Sequence, residues 1–149
     1  MASFNKVNVF VKDLAEGKHD FANDELRVAL FNADPTASAT TYTVLAAISN
    51  NELGNDGTAY PTTGKQATLG SSTQTGGTYK LVLNDVVFTA ASNDLGGNGD
   101  SFRYVVLYNY TDSNKPVIGY YDYGSNVTIS AGNTFTVDFD GSAGVLTVA

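Results

Sequence analysis

Cysteine and tryptophan are missing from this 149-residue sequence, which has one histidine, one methionine and three prolines. Without thiols, neither a disulfide nor a thiolate metal centre can form. The lone His19 removes the paired and triple histidines of most zinc sites. Charge is scarce as well: Asp, Glu, Lys and Arg make up 15% of the chain, against about 25% in an ordinary globular protein. Eight bases face fifteen acids, a formal charge of −7, and that sign disfavours binding to the phosphate backbone of nucleic acid. No apolar run is long enough to cross a membrane as a helix. The opening MASFNKVNVF places Asn and Lys where a signal peptide needs an apolar stretch. The sequence therefore predicts a protein made in the cytoplasm, with no nucleic-acid or membrane partner.

Hydroxyls, amides and glycine stand in for charge. Gly, Ser, Thr and Asn fill 57 of the 149 positions. Thr suits a pleated surface and the other three suit turns, so the composition favours β-structure with short connections. A hydrophobic content of 42%, with eight Phe and nine Tyr, supplies the apolar surface needed to fold as one domain over residues 1–149.

A single helix is expected at the start, over about residues 4–16. Phe4, Val7, Phe10, Val11 and Leu14 fall on one stripe at helical spacing, Ser3 can cap the beginning, and Gly17 stands where a left-handed stop belongs. Beyond it the period changes to two. Residues 25–32 read as a strand, Lys65 to Leu83 as a hairpin around Gly76-Gly77, and Phe102 to Tyr110 as a central strand apolar on both faces. Val86 to Thr89, Val117 to Tyr123, Val127 to Ile129, Thr134 to Phe139 and Val145 to Val148 add further strands, with a turn at Gly124-Ser125-Asn126. Thr43 to Ile48 is ambiguous between strand and helix. Eight to ten short strands at this spacing predict an antiparallel β-sandwich, jelly-roll-like, with one N-terminal helix.

Chemistry is thinly represented. Asp138 and Asp140 share a strand face at a spacing compatible with a carboxylate pair, but alternate outward acids are also what the solvent side of a strand looks like. Asp94, Asn98 and Asp100 give one loop an oxygen-rich character without the late bidentate Glu of a calcium loop. His19 follows Gly17-Lys18, where a surface or helix-end position is the ordinary expectation. Gly64-Lys65 and Gly76-Gly77 are followed by strand patterns and not by a helix N-terminus, so neither reads as a phosphate loop. No catalytic, cofactor-binding or metal-binding residue is assigned. Candidate partner contacts are Val9, pointing away from the helix stripe, Lys12 beside it, Asn55 and Tyr60 in the turn-rich stretch Asn50 to Gly64, and Tyr120 in a cluster of tyrosines.

Four segments carry a resemblance: Gly77-Thr78-Tyr79-Lys80-Leu81-Val82-Leu83, Phe102-Arg103-Tyr104-Val105-Val106-Leu107-Tyr108-Asn109, Lys115 to Gly124, and Thr134-Phe135-Thr136-Val137-Asp138-Phe139. With Phe4-Asn5-Lys6-Val7 at the start, they resemble a family of small tailed-bacteriophage virion proteins. That resemblance implies a structural role without catalysis or cofactor. It implies a head decoration or cement protein that binds the lattice of major capsid protein or other virion proteins, assembles as a homo-oligomer and resides in the virion. Its motifs do not separate head from tail or baseplate, and a carbohydrate-binding or adhesin module is the rival reading.

Overall fold

The computed structural model describes residues 2–35, 51–54, 60–97 and 99–149. Thr43 to Ile48, Asn55 and Asn98 lie outside the described residues. The elements in chain order are β1 (Phe4–Lys6), α1 (Phe10–Ala15), β2 (Leu26–Phe31), β3 (Lys65–Ala67), β4 (Leu69–Thr75), β5 (Thr78–Leu83), β6 (Val86–Thr89), β7 (Phe102–Asn109), β8 (Val117–Val127), β9 (Thr134–Val137) and β10 (Leu146–Val148). The protein is thus mainly β with one short N-terminal helix, as its periodicity predicts.

Among the described residues every strand pairing is antiparallel. Five strands form a sheet in the order β1-β8-β7-β2-β3, three form a second in the order β10-β5-β4, and β6 and β9 make a two-stranded ribbon. Aromatic contacts tie these layers together in a sandwich-like arrangement. Phe102 on β7 meets Phe135 on β9 edge-on at 4.7 Å, and Phe21 stacks on Tyr79 of β5 at 6.2 Å. The expected central strand is β7, hydrogen-bonded to β2 on one side and β8 on the other. Its residues Tyr104 to Asn109 are all buried, which requires the unbroken apolar run that the sequence shows.

Local chemistry explains where the strands turn. Gly76 and Gly77 both take positive φ, +59° and +87°, the backbone of a two-residue hairpin turn whose twist matches its strands. The expected strand from Lys65 to Gln74 is divided at Thr68: β3 pairs with β2, whereas β4 pairs with β5. One chain segment therefore serves both sheets, a corner of the kind sandwiches use. Likewise β8 does not end at Gly124; it runs on to Val127, and its register against β7 slips between the Phe102 and Tyr104 pairings to absorb the extra residues.

The N-terminus departs furthest from expectation. Phe4 to Lys6 are a strand, and the helix covers only Phe10–Ala15 with Val9, not Ser3, before it. Two forces decide this. The edge of β8 offers ladder partners at Gly119, Tyr120 and Tyr121, and a short isolated helix is costly to nucleate. Val7 extends the pairing by donating its amide to the Ile118 carbonyl at 3.1 Å. Of the predicted stripe, Phe10 is buried and Leu14 packs partly, while Val11 is 53% exposed. Gly17, at φ +76°, closes the helix as anticipated.

Candidate functional site

Three of the five predicted contact residues turn inward. Val9 is buried because the helix begins after it, so its side chain belongs to the core and not to an outer face. Tyr60 is buried, its hydroxyl accepting from the Leu30 amide at 3.0 Å and donating to Glu52 at 2.8 Å. Tyr120 is buried edge-on against Tyr104 at 5.8 Å. In each case an aromatic or branched side chain is worth more in the core than at the surface. Lys12 stays out in solvent, 3.7 Å from Glu16 one helical turn on, and Asn55 lies outside the described residues.

The stretch from Asn50 to Gly64 is likewise no plain surface loop at its described ends. Leu53 and Tyr60 enter the core, and Glu52 accepts from the Thr63 amide at 2.9 Å as well as from Tyr60. Burial raises the Glu52 carboxyl above its ordinary range, opposed by those two hydrogen bonds.

Neither carboxylate candidate finds an acid–base setting. Asp138 and Asp140 are exposed, as their alternation implies. Asp140 accepts from the amides of Ser142 and Ala143, and these bonds lower its pKa, the opposite of what a proton donor needs. The recess beside Asp138, walled by Ala2, Tyr121, Tyr123 and Val137, has a volume of about 10 Å³, too small for more than one water. Asp122 is held by both nitrogens of a forked Arg103 contact, at 2.7 and 2.9 Å, and Arg103 holds its carboxyl down at about 2. In the glycine-rich loop, Asp94 accepts from the Gly99 amide at 3.2 Å, and Leu95 is buried. Among the described residues, no three acidic or histidine side chains converge as a metal site would require.

His19 is not at the surface. It is 6% exposed, stacked on Phe21 and tilted against Phe10, at the end of β7 where Asn109 is fully buried. The Asn109 amide nitrogen donates to the Lys18 carbonyl at 3.0 Å and to Asp24 at 2.6 Å, while its oxygen accepts from the amides of Thr111 and Asp112. That pattern fixes which end of the amide faces the imidazole: Nδ1 of His19 lies 3.4 Å from an N–H donor. Burial is the main cause that lowers the His19 pKa, partly offset by Asp13, Asp24 and Asp112. Asp13, fully buried, is held by Lys18 at 2.9 Å.

His19 also forms part of the wall of a groove of about 490 Å³. Leu14 comes from α1, Phe21 and Ala22 from the segment after it, Ser72 and Tyr79 from the β4–β5 hairpin, and Val148 from β10. The hairpin and the helix-to-β2 segment thus leave one end of the sandwich incompletely closed. The wall is apolar and nearly neutral. Its one carboxylate, Asp20, is engaged by the Ala22 amide at 3.1 Å and Asn23 at 2.8 Å, and those bonds lower its pKa. Its hydroxyls, Ser72 and Tyr79, bond to each other at 2.9 Å. A volume of this size accommodates a few apolar or aromatic groups, and among the described residues of its wall none is a nucleophile with an adjacent base. Sequence reading misses this site because its walls come from three distant segments. The one local signal was Phe21, an isolated aromatic in a polar stretch. Compared with known proteins, the chain matches no family model, no curated protein and no solved structure.

Proposed function

We propose that this chain is a structural protein of a tailed-bacteriophage virion: a decoration or cement protein that binds the major capsid protein lattice and stabilises the head. The observation that carries the reading is the groove. It gives a β framework a largely apolar recess, bounded by Leu14, Phe21, Tyr79 and Val148, suited to receive an apolar side chain of a shell protein. A cement protein requires an adhesive surface on a stable scaffold, and modest contacts gain strength when repeated over a lattice. The resemblance of β5, β7, β8 and β9 to small virion proteins supplies the partner class. Among the described residues no helix is long and apolar enough to span a membrane.

The test is binding to empty or expanded heads of the parent particle, followed by heating. The protein is expected to sediment with heads saturably and to raise their disruption temperature. Ala22→Trp, which fills the groove from an exposed position, is expected to abolish both effects. Heads that ignore the protein reject the proposal, and assembly with tail proteins into rings or rods moves it to the tail or baseplate.

One observation favours a second reading. The rings of His19, Phe21 and Tyr79 lie within 18° of parallel from one neighbour to the next, and aromatic walls beside hydroxyls also suit sugar rings. A glycan array with no response to any sugar disposes of a carbohydrate-binding module.

A further inference from the structure

Sheet edges are where a β protein recruits another chain, and their lengths here are unequal. The five-stranded sheet ends in β1 and β3, each of three residues; the three-stranded sheet ends in β10, also three residues, and in β4, which has seven. Natural edges are blunted by shortness, charge, proline, bulges or a covering element. β4 reads Leu69-Gly70-Ser71-Ser72-Thr73-Gln74-Thr75, with no charge and no proline. A register slip at Gly70 disturbs its beginning. From Ser71 to Thr75 it pairs without interruption against Val82 to Thr78. Thr73 to Thr75 are exposed and Ser71 and Ser72 only half-buried, so nothing described covers the strand.

We propose that β4 is a self-association edge, pairing antiparallel with β4 of a second copy about a two-fold axis near Ser72. Three observations select a second copy as the occupant. First, charge: two chains of −7 repel, and β4 lets them meet with Ser, Thr and Gln opposed to one another and no carboxylate at the seam. Second, composition: in a register centred on Ser72, Ser71 faces Thr73 of the copy and Gly70 faces Gln74, so hydroxyls and amides meet across the axis and Leu69, 42% exposed, gains a neighbour. Third, closure: the product is one six-stranded sheet whose outer edges are the two copies of β10, three residues each. Pairing therefore stops at two instead of growing into a fibre.

An antiparallel pair about such an axis keeps the same face of both sheets on one side. Ser72, Tyr79 and Val148 line the groove from that sheet, so the dimer presents two grooves in one direction. The pairing stands independently of what the grooves hold.

Sedimentation velocity over a concentration series tests it. The full chain is expected to shift from 15.7 kDa to twice that mass as concentration rises. Ser71→Asp with Thr73→Asp, which opposes carboxylates across the axis at exposed or half-exposed positions, is expected to keep the monomer mass at every concentration with the wild-type melting temperature. Because the chain lacks cysteine, Ser72→Cys provides a second readout. It should oxidise to a disulfide-linked dimer at least tenfold faster than Val87→Cys, an exposed control on β6. If the Asp variant loses its melting transition, the ratio of the two oxidation rates decides. A wild-type chain monomeric up to about 1 mM, the weak limit of specific association, overturns the proposal. So does a dimer that survives the Asp pair, or equal oxidation at both cysteines.

Discussion

The rings of His19 and Phe21 lie 12° from parallel with centroids 5.7 Å apart, and both residues line the groove. The imidazole therefore serves as an aromatic plate, neutral and buried, with Nδ1 turned to the Asn109 amide. Its neutrality ties the groove to pH.

Acid is expected to destabilise the fold through His19. Its folded pKa lies below the ordinary 6.5 because burial disfavours the cation. In the unfolded chain His19 takes up a proton near pH 6.5; in the folded one it resists until lower pH. Below 6.5 the unfolded state thus binds more protons, and stability declines as pH falls from 6.5 towards the folded value. Urea unfolding at pH 7.5 and pH 5 should show a lower midpoint at pH 5. His19→Phe, which keeps a ring on Phe21, should flatten that difference. The carboxylates with lowered pKa, Asp20, Asp122 and Asp140, lose their contributions only below about pH 4, outside this window. Burial raises the Glu52 carboxyl, which works in the opposite sense, so a pH difference that persists unchanged in His19→Phe would remove His19 from the account.

Through its hydroxyl, Tyr60 joins the segment before β3 to the central sheet. Its hydroxyl accepts from Leu30 on β2 and donates to Glu52, and burial drives its own pKa well above the ordinary value of 10.0. Tyr60→Phe leaves the Leu30 amide without that acceptor and takes one donor from a carboxylate already raised by burial. The expected loss is about 1–3 kcal/mol, the cost of leaving buried polar groups unpaired, measured by chemical denaturation. Ring packing against Phe88, at 5.7 Å, survives the change, so a loss near zero would mean that the hydroxyl is not needed to hold Glu52.

What the sequence made legible is what period and turn chemistry encode. β7 announced its central place by an apolar run on both faces, and the Gly76-Gly77 turn announced its hairpin. In Thr134 to Asp140 the inward Val137 and Phe139 and the outward Thr134, Thr136, Asp138 and Asp140 lie as alternation predicts, with Phe135 half-buried. The failures share a cause. Phe4 to Leu14 have a helical stripe, yet a vacant edge on β8 outbids it for Phe4 to Lys6, and no local pattern reports a distant edge. The same holds for Tyr60 and Tyr120. Their side chains look like contact residues in isolation, and only the packed sheets show them inside. The groove was invisible for the reason that Leu14, Phe21, Tyr79 and Val148 meet only after folding.

A backbone position without a side chain lets the start of β3 lie against β2. Gly64 sits at φ +68°, and a methyl group there would run into the carbonyl oxygen of Val28. Gly64→Ala therefore combines a left-handed strain with a backbone collision that no rotamer can relieve. A loss of about 3 kcal/mol or more is expected, in the range kept for steric conflict in a core. Gly124 shares the positive φ, +79°, but faces open space, so Gly124→Ala should cost about 1 kcal/mol. Thermal melts of the two variants separate conformational strain from collision; equal losses would remove the collision from the account.

Gly119 explains why the N-terminus can be a strand at all. Its φ is not in the left-handed region, so only space constrains it. A Cβ there would stand 2.5 Å from the Phe4 ring and 2.6 Å from the Asn5 carbonyl oxygen. The absent side chain is what lets β1 lie across β8 with Phe4 opposite Tyr121, where their rings meet at 5.2 Å. Gly119→Ala is expected to push β1 off the sheet edge at a cost of about 1–3 kcal/mol, the ordinary penalty for overpacking. Hydrogen exchange should report it locally, through faster exchange of the Val7 amide that now bonds the Ile118 carbonyl, with little change in β7. Adding Phe4→Ala to that variant removes the ring conflict but not the one with the Asn5 carbonyl. The double variant should therefore recover only part of the Val7 protection, and full recovery would place the whole conflict on the Phe4 ring.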